Sequence, residues 1–165
     1  MAIAMHLKDY LTAQGVAYEV ITHPRAASTV ASAVRAGVPS DRVAKAVVLE
    51  DEGGYLLALV PASHRVQLGR LRQWLDRRLG LATERELAAL FDDCELGAIP
   101  AAAGAYGLPM VCDDSLTEQP DIYFEGGDHC SLVHISGADF RRLTTDAPHA
   151  RFSSPPGSSA LAWEP

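Results

Sequence analysis

The chain has 165 residues, of which 48% are hydrophobic and 21% charged, and its formal net charge is −7 at pH 7. This length suits one domain with a hydrophobic core, and the negative charge argues against a protein that coats nucleic acid by neutralising many phosphates. No apolar run approaches the roughly 20 residues of a membrane-spanning helix, and His6, Lys8 and Asp9 interrupt any signal-peptide core, so we expect a cytoplasmic protein without membrane contact.

Helices and strands are mixed along the first half of the chain. The first segment has apolar residues at helical spacing and stops at Gly15. The strongest signal is a pair of apolar, β-branched runs joined around Gly53 and Gly54, which predicts a β-hairpin in the centre of a sheet. The predicted elements are a helix over residues 5–14, a strand over 18–22, a helix that Ser28 or Thr29 caps and that continues to Arg35, and hairpin strands over 43–50 and 55–61.

The second half repeats this mixture and contains a second hairpin across two glycines. The predicted elements are a helix over 66–79, a helix over 83–91 capped by Thr83, a loop over 94–108, a strand over 109–112, hairpin strands over 122–125 and 131–136, and a helix over 137–143. Because strands and helices do not alternate as βαβ units, we expect an α+β fold around a strongly curved, mixed sheet.

The end of the chain differs in composition from the rest. Residues 146–165 contain four prolines, four serines and a glycine. Such a segment buries too little apolar surface to offset its ordering entropy. We therefore expect one domain over residues 1–145, followed by a flexible tail over 146–165 to which we assign no function.

Charge is distributed unevenly along the chain. A group of arginines is opposed by a single acidic residue, Asp76. A local basic patch can hold a phosphate backbone even on an acidic protein, so three of its members are candidate contacts to RNA. A solvated helix face is the simpler interpretation of the same charges. The three candidates are Arg65, Arg70 and Arg72.

Lys45 is the one charge in the apolar run 43–49. Burying an unpaired ammonium is costly, so this lysine must reach a cleft, a partner or an anion, or extend to the edge of the sheet. The sequence leaves these possibilities open. The chain has twelve arginines and only two lysines, Lys8 and Lys45, which suggests that a compact point charge is required at this position.

Two glycine-containing segments can carry chemistry. In residues 95–100, Gly97 allows consecutive backbone N–H groups to approach a carbonyl oxygen or the oxyanion of an acyl-transfer intermediate. In residues 125–129, an acid and a histidine follow two glycines, an arrangement that can present a general base. An ordinary turn is the alternative in both cases. His23, between a strand and a proline, is a comparable candidate.

Metal and nucleophile chemistry are less well supported. His129, Cys130 and His134 are close in sequence, but consecutive residues of a strand point to opposite faces, so we expect no metal and no cofactor. Cys94, Cys112 and Cys130 are an odd number at wide spacing, which predicts buried or half-buried free thiols. A Cys–His nucleophilic pair stays open.

Taken in order, the segments resemble the YbaK/ProX aminoacyl-tRNA deacylases, relatives of the editing insert of bacterial prolyl-tRNA synthetases. The order and spacing of the segments carry the resemblance, which spans about residues 15–143. The matching segments are His23-Pro24 with Ser28-Thr29, VAKAVVL around Lys45, LVPASHRVQL, LATERELAALFDDCELGAIP, YGLPMVCDDSL and IYFEGGDHCSLVHISGADFRRL.

The resemblance implies a barrel-like mixed sheet flanked by helices and hydrolysis of the ester between an amino acid and the terminal adenosine of a tRNA. It implies catalytic roles for Lys45 at the tRNA end, for Gly97 as a backbone donor and for His129 in the same pocket. Similar loops usually have a second proline where this chain has Ala101, a departure that bears on pocket size and specificity. The implied substrate-binding residues are His23, Thr29, Ala98, Ile99, Pro100 and Asp128.

Two alternatives to a trans-editing enzyme follow from the same residues. A non-catalytic module would bind a tRNA end or a nucleotide without turnover, and a metal-dependent hydrolase would use His129 and His134. The resemblance implies aminoacylated tRNA as a partner and leaves open the oligomeric state, a synthetase partner and the amino acid removed. Alanine, cysteine, serine or a non-protein amino acid on a proline tRNA all agree with it.

Overall fold

The structure is a computed structural model that describes residues 3–157. Among its helices, none combines the length and the apolar run that are needed to cross a membrane. The helices are α1 (Met5–Ala13), α2 (Thr29–Ala36), α3 (Leu68–Leu75), α4 (Glu84–Leu90), α5 (Asp114–Thr117) and α6 (Gly137–Leu143). The strands are β1 (Glu19–Thr22), β2 (Val43–Asp51), β3 (Gly54–Pro61), β4 (Arg65–Val66), β5 (Gly80–Leu81), β6 (Met110–Asp113), β7 (Asp121–Glu125), β8 (Ser131–Ser136), β9 (His149–Ala150) and β10 (Ser153–Ser154).

The main sheet is mixed, as predicted. Its strand order is β1-β8-β7-β2-β3-β6-β9, with β5 paired to β2 beside this path. The pairs β2–β7, β3–β6 and β6–β9 are parallel and the others antiparallel. Within residues 3–157 the path is open, with β1 and β9 at its ends, and the small β4–β10 pair lies apart from it.

β2 is the central strand of the fold, and side chains from both of its faces pack into hydrophobic clusters. Ala44 and Val48 point into the largest hydrophobic cluster, which also contains residues of α1 and α6. Leu49 points to the other face, into a cluster with Leu71 of α3, and Val43 packs with Ala33 of α2. Successive side chains of a strand alternate between faces, so a single apolar strand serves all three clusters.

The local signals predicted these elements well. Both hairpins are antiparallel as expected, with β2 paired to β3 and β7 paired to β8. The Ser28 hydroxyl oxygen accepts from the Ala31 N–H at 3.1 Å, so Ser28 is the cap of α2. Thr83 and Glu86 form the complete capping box of α4.

The predicted helix over 66–79 was too long. α3 ends at Leu75, and Asp76 adopts a left-handed conformation with φ of 52°. Arg77 then leaves the helix axis because its guanidinium binds the Asp51 carboxylate at 2.7 Å, and β5 follows along β2. Arg65, at the other end, belongs to β4. The arginines therefore do not share one helix face.

The folded part of the chain also extends beyond the boundary predicted at residue 145. β9 pairs with β6, and β10 pairs with β4. Phe152, between the two strands, is fully buried in the cluster that contains Leu71 and Leu79, and its ring stacks on Trp74 with centroids 6.1 Å apart. A single large aromatic side chain supplies the apolar contact that composition did not suggest. The tail prediction for residues 158–165 lies outside the described residues.

We expect Phe152→Ala to lower the free energy of unfolding by about 3–5 kcal/mol, because the truncation leaves a cavity beneath α3. The exposed neighbour provides a matched control, and Arg151→Ala is expected to change stability by less than about 0.5 kcal/mol. Urea unfolding followed by circular dichroism measures both. Equal stabilities of the two variants would contradict the packing of this segment.

Candidate active site

A cleft of about 270 Å³ opens beside β2, where the sheet divides. On this edge β7 pairs only with Val43 and Ala44, and β5 pairs only with Leu49 and Glu50. Between these pairs the edge has no partner strand among the described residues, and Lys45, Ala46 and Val48 from this stretch line the cleft. The residues that line the cleft are Ala27, Ser28, Thr29, Lys45, Ala46, Val48, Leu87, Gly97 and Ile99.

Lys45 reaches this cleft, which decides between the possibilities that the sequence left open. Its Nζ donates a hydrogen bond to the carbonyl oxygen of His64 at 2.9 Å. Burial, together with the nearby positive charge of Arg65, lowers the pKa of Lys45 from its ordinary value. An ammonium has three donors, so this one bond leaves others for a ligand in the cleft.

The loop from Glu95 to Pro100 forms the opposite wall. Gly97, with φ of 84°, and Ile99 line the cleft, whereas Ala98 and Pro100 are buried on the other side of the loop. The amides of Glu95 and Ala98 are used inside the fold, where they donate to the carbonyls of Gly127 and Glu95. Among residues 3–157, the amides of Gly97 and Ile99 have no acceptor, so they are the donors that this wall offers.

His129 supports that wall from behind and is not among the residues that line the cleft. Its backbone has φ of 62°, and its ring Nε2 contacts the carbonyl oxygen of Leu96. Because a carbonyl only accepts, Nε2 carries a proton in this contact. A Cβ atom at Gly97 would lie 3.1 Å from the ring Cε1. Gly97 and His129 are therefore close together, as predicted, but the His129 ring packs beneath the loop and does not line the cleft.

Asp128 and His23 likewise shape the segments around the cleft. The Asp128 carboxylate accepts from the amide of Cys130 at 2.9 Å and the hydroxyl of Ser131 at 3.2 Å, which closes the turn between β7 and β8. His23 is buried, and its ring Nδ1 bonds the carbonyl oxygen of Pro24 at 2.8 Å. Neither residue is among those that line the cleft.

Glu125 is a residue of this region that sequence reasoning did not single out. It ends β7 where that strand leaves β2, and only 1% of its surface is exposed. Its Oε2 accepts from the hydroxyls of Thr29 and Ser32, each at 3.4 Å, and its Oε1 has no partner among the described residues. Burial raises the pKa of Glu125 to about 7, against the opposing effect of the two hydroxyls. The signal in the sequence was a carboxylate directly after three apolar strand residues.

The three arginines proposed as RNA contacts lie on two elements. Arg65 is exposed on β4 and acts electrostatically on Lys45. On α3, Arg70 Nε donates to the carbonyl of Arg151 at 3.0 Å. Arg72 Nε donates to the carbonyl of Leu79 at 2.6 Å. Arg65 is therefore the member of this set that the structure brings near the cleft.

Ala101 lies on the core side of the loop. It is 5% exposed and adjoins a cavity of about 10 Å³ against Tyr10 and Phe140, away from the cleft. Ala101 is not among the residues that line the cleft, and the expectation that this position bears on pocket size stays a prediction.

The contacts of the remaining candidates argue against other chemistries. The two ring nitrogens of His134 face Glu19 at 3.1 Å and Asp121 at 2.8 Å, so carboxylates already engage this histidine. All three cysteines are free, as predicted. Burial raises the pKa of the Cys94 thiol to about 12, and it also raises that of Cys112, which keeps both thiols protonated near neutral pH.

Comparison with known proteins gives a family and a fold. Residues 23–143 match the sequence profile of the aminoacyl-tRNA editing domain. A proposed trans-editing enzyme for prolyl tRNA synthetase is 23% identical, with a TM-score of 0.76 over 92% of this chain and 96% of that chain. Comparison with curated protein sequences found no match.

Two further solved structures have the same fold. The hypothetical protein APE2540 is 19% identical, with a TM-score of 0.78 over 90% of this chain and 99% of that chain. A chain from work on epitope backbone grafting onto scaffold proteins by computational design is 22% identical, with a TM-score of 0.78 over 92% of this chain and 96% of that chain. The mixed sheet with flanking helices is thus shared at low sequence identity.

The buried carboxyl of Glu125 predicts a pH dependence of stability. The pKa of Glu125 in the folded protein, about 7, exceeds its ordinary value of 4.5. The contribution of its protonated carboxyl to the free energy of unfolding is therefore fully present below pH 4.5 and is lost as the pH rises through 7. Glu125→Gln cannot ionise. We expect its stability relative to wild type to rise by up to about 3 kcal/mol between pH 4 and pH 8.

Urea unfolding of both proteins across this range measures the difference. If the difference between Glu125→Gln and wild type stays constant with pH, the carboxyl does not titrate as its burial requires.

Proposed function

The chain belongs to the family of aminoacyl-tRNA editing domains, and we propose that it hydrolyses the ester between a wrongly attached amino acid and the 3′ end of a tRNA. It would do so as a trans-editing enzyme in the cytoplasm. The observation that carries this proposal is the cleft beside the divided edge of β2. There the Lys45 side chain and two residues of the loop, Gly97 and Ile99, line the same space, and the amides of Gly97 and Ile99 have no acceptor among residues 3–157.

The proposed chemistry is attack of water on the ester carbonyl. The water oxygen bonds to the carbonyl carbon, and the carbonyl oxygen becomes an oxyanion that the amides of Gly97 and Ile99 can stabilise. The oxyanion then re-forms the carbonyl, the bond from that carbon to the ribose oxygen breaks, and the proton given up by the attacking water passes to the leaving ribose oxygen. The neighbouring ribose hydroxyl assists the proton transfer. An aminoacyl ester is already activated, so positioning and oxyanion donors are sufficient without a protein nucleophile.

Lys45 has a distinct part in this scheme. Its ammonium lies at one side of the cleft, fixed by the carbonyl of His64 and close to Arg65. Two neighbouring cations suit the negatively charged end of a tRNA. We assign to Lys45 contact with the terminal nucleotide, which places the ester opposite the Gly97 loop.

The walls of the cleft suit a small amino acid. Ala46, Val48, Leu87 and Ile99 give an apolar surface around a small volume, and Thr29 adds a hydroxyl that Glu125 orients by accepting its hydrogen bond. One methylene changes selectivity by only about 1–3 kcal/mol, so a small pocket rejects large correct amino acids and admits small wrong ones. The structural relative named for prolyl tRNA synthetase makes alanine, cysteine and serine on a proline tRNA the first substrates to test.

The remaining predicted site residues would act by holding the walls in place. His129 packs under Gly97, Asp128 closes the turn that carries His129, and Ala98 and Pro100 anchor the loop in the core. His23 fixes the segment before α2 through the hydrogen bond from its backbone N–H to the Cys130 carbonyl. These contacts support an indirect role for each in substrate binding.

We propose that the body of the tRNA crosses the surface formed by β4 and α3. Arg65 lies nearest the cleft. Arg70 borders a groove of about 340 Å³ that also contains Arg151 and the partly exposed ring of Trp74, and Arg72 follows on α3. Guanidinium groups beside an aromatic ring suit phosphates and unstacked bases. A synthetase partner and the oligomeric state stay open.

Lys45→Ala is expected to reduce deacylation by on the order of 100-fold, the size typical of a lost electrostatic group in a hydrolytic site. The matched control is Lys8→Ala, which removes the other lysine of the chain from an exposed position of α1. The measurement is the release of radiolabelled amino acid from Ala-, Cys- and Ser-tRNA for proline. We expect wild type and Lys8→Ala to cleave at least one of these esters equally fast.

Turnover in the Lys45 variant equal to wild type would remove this residue from the mechanism. If wild type binds the tRNA tightly and cleaves none of the esters, the protein is a non-catalytic RNA-end module.

Gly97→Ala tests whether catalysis depends on the position of the loop that carries Gly97. An added Cβ would lie 3.1 Å from the ring of His129 at a positive φ, so the loop must move and its amides lose their alignment. Misplacement by about 1 Å can cost up to about 100-fold in rate, and we expect kcat to fall by about 10- to 100-fold. Gly107→Ala has a similar positive φ and nothing within 4 Å, and is expected to retain wild-type activity. An equal decrease in both variants would show that backbone strain alone, not the cleft, is responsible.

A further inference from the structure

A chain of hydrogen bonds connects Lys45 to the C-terminal segment. Lys45 Nζ donates to the His64 carbonyl oxygen at 2.9 Å, and the His64 ring Nδ1 contacts the Ser153 hydroxyl oxygen at 2.9 Å. The Ser153 hydroxyl in turn donates to Asp113 Oδ2 at 2.8 Å. The four residues come from four different segments and lie up to 108 positions apart in the sequence.

The direction of these bonds follows from the chemistry of the groups. A carboxylate only accepts, so the Ser153 proton points to Asp113. The Ser153 oxygen must then accept from His64, which places the ring proton on Nδ1. Burial lowers the pKa of His64, and this favours the same neutral form. Both the ring and the carbonyl of His64 thus have a fixed partner.

Asp113 is a suitable anchor for such a chain. Its side chain is fully buried at the end of β6. Its Oδ1 accepts from the amide and the hydroxyl of Ser115 at 3.0 and 2.6 Å. Its Oδ2 accepts from the amide of Phe152 at 2.9 Å as well as from Ser153. Four donors hold this carboxylate, so movement of Ser153 is costly.

His64 itself lies in a short turn after β3 that is only half-buried. The turn is closed by the bond from the His64 amide to the Pro61 carbonyl at 2.9 Å. The backbone that follows the His64 carbonyl is held by β4, where Arg65 pairs with Ser154, and the His64 side chain adds an anchor on the other side of the carbonyl. The bond to Ser153 therefore restricts the one carbonyl that Lys45 uses.

We propose that Ser153, held by Asp113, is a positioning residue that orients the His64 carbonyl and so places the ammonium of Lys45 in the cleft. This inference rests on the proposed function for the part that Lys45 has in catalysis. It makes the C-terminal strand β10 part of the site, although no residue of that strand lines the cleft.

The charged groups around this chain are few. The positive charge of Arg65 lowers the pKa of Lys45. Four charged residues affect the pKa of His64. The acids Asp113 and Asp41 raise it, and the cations Lys45 and Arg151 lower it. Without the oriented carbonyl, the half-buried Lys45 ammonium would remain near the positive charge of Arg65 and would lose its acceptor among the described residues. The charged form would then be less stable, and the pKa of Lys45 would fall.

The pKa of Lys45 can be measured directly, because the chain contains only two lysines. With ¹³C-labelled lysine, the protein gives two Cε signals, from Lys8 and Lys45, and Lys8→Arg assigns them. Titration of Ser153→Ala is expected to show the pKa of Lys45 lower than in wild type by about 0.5 or more. Ser154→Ala is the matched control, because Ser154 is also buried in β10 but contacts Gln67. It is expected to leave that pKa unchanged.

Kinetics on the ester that wild type cleaves provide the second readout. Ser153→Ala is expected to lower kcat about 10-fold with KM within about twofold, because a displaced Lys45 ammonium leaves the ester misaligned against the Gly97 loop while the arginines of β4 and α3 still bind the body of the tRNA. Wild-type values of kcat and of the Lys45 pKa in Ser153→Ala would overturn the proposal. Equal changes in Ser153→Ala and Ser154→Ala would overturn it too, since they would indicate a purely structural strand.

Two further arrangements keep the test decisive. If Ser153→Ala does not fold, His64→Ala removes the same bond from the half-buried side and is expected to lower the pKa of Lys45 likewise. If wild type cleaves no ester, the proposed function fails, whereas the titration still accepts or rejects the link between Ser153 and Lys45.

Discussion

The unpaired stretch of the β2 edge is the constraint from which the site follows. β7 accompanies β2 for two residues, Val43 and Ala44, and β5 joins at Leu49. A buried strand edge must be paired or face a solvated space. The cleft provides that space, and both faces of β2 are already committed to the core. The strand that stabilises the fold therefore also supplies the floor of the site.

Three loops close around this floor because their backbones are bonded to one another. Glu95 N–H donates to the Gly127 carbonyl, and Ala26 N–H donates to the His129 carbonyl. An exposed ion pair between Arg25 and Glu95 at 2.9 Å joins two of the loops at the surface, where its contribution is small. The backbone bonds and the buried ring of His129 thus fix the loops, and an ordered loop can offer oxyanion donors without reorganising.

The buried polar atoms of this region set it apart from an ordinary core. Among the described residues, the buried side-chain atoms without a partner are His23 Nε2, Glu125 Oε1 and His129 Nδ1. All three residues belong to the segments that surround the cleft. Unsatisfied buried polar groups cost stability, and proteins retain them mainly where function requires them. Their concentration here agrees with the placement of the candidate site.

The sequence by itself determined the local helices and strands and the unusual position of Lys45. Apolar runs joined across glycines predicted both hairpins, side-chain caps predicted the starts of α2 and α4, and the lone charge of β2 identified Lys45, because each signal acts within a few residues. Only the tertiary structure decided that His129 packs beneath Gly97, that Glu125 lies buried behind Thr29, and that Ser153 reaches His64. These contacts join residues about 30 to 95 positions apart. No local periodicity encodes such pairs, since the register of the sheet and the docking of its loops bring them together.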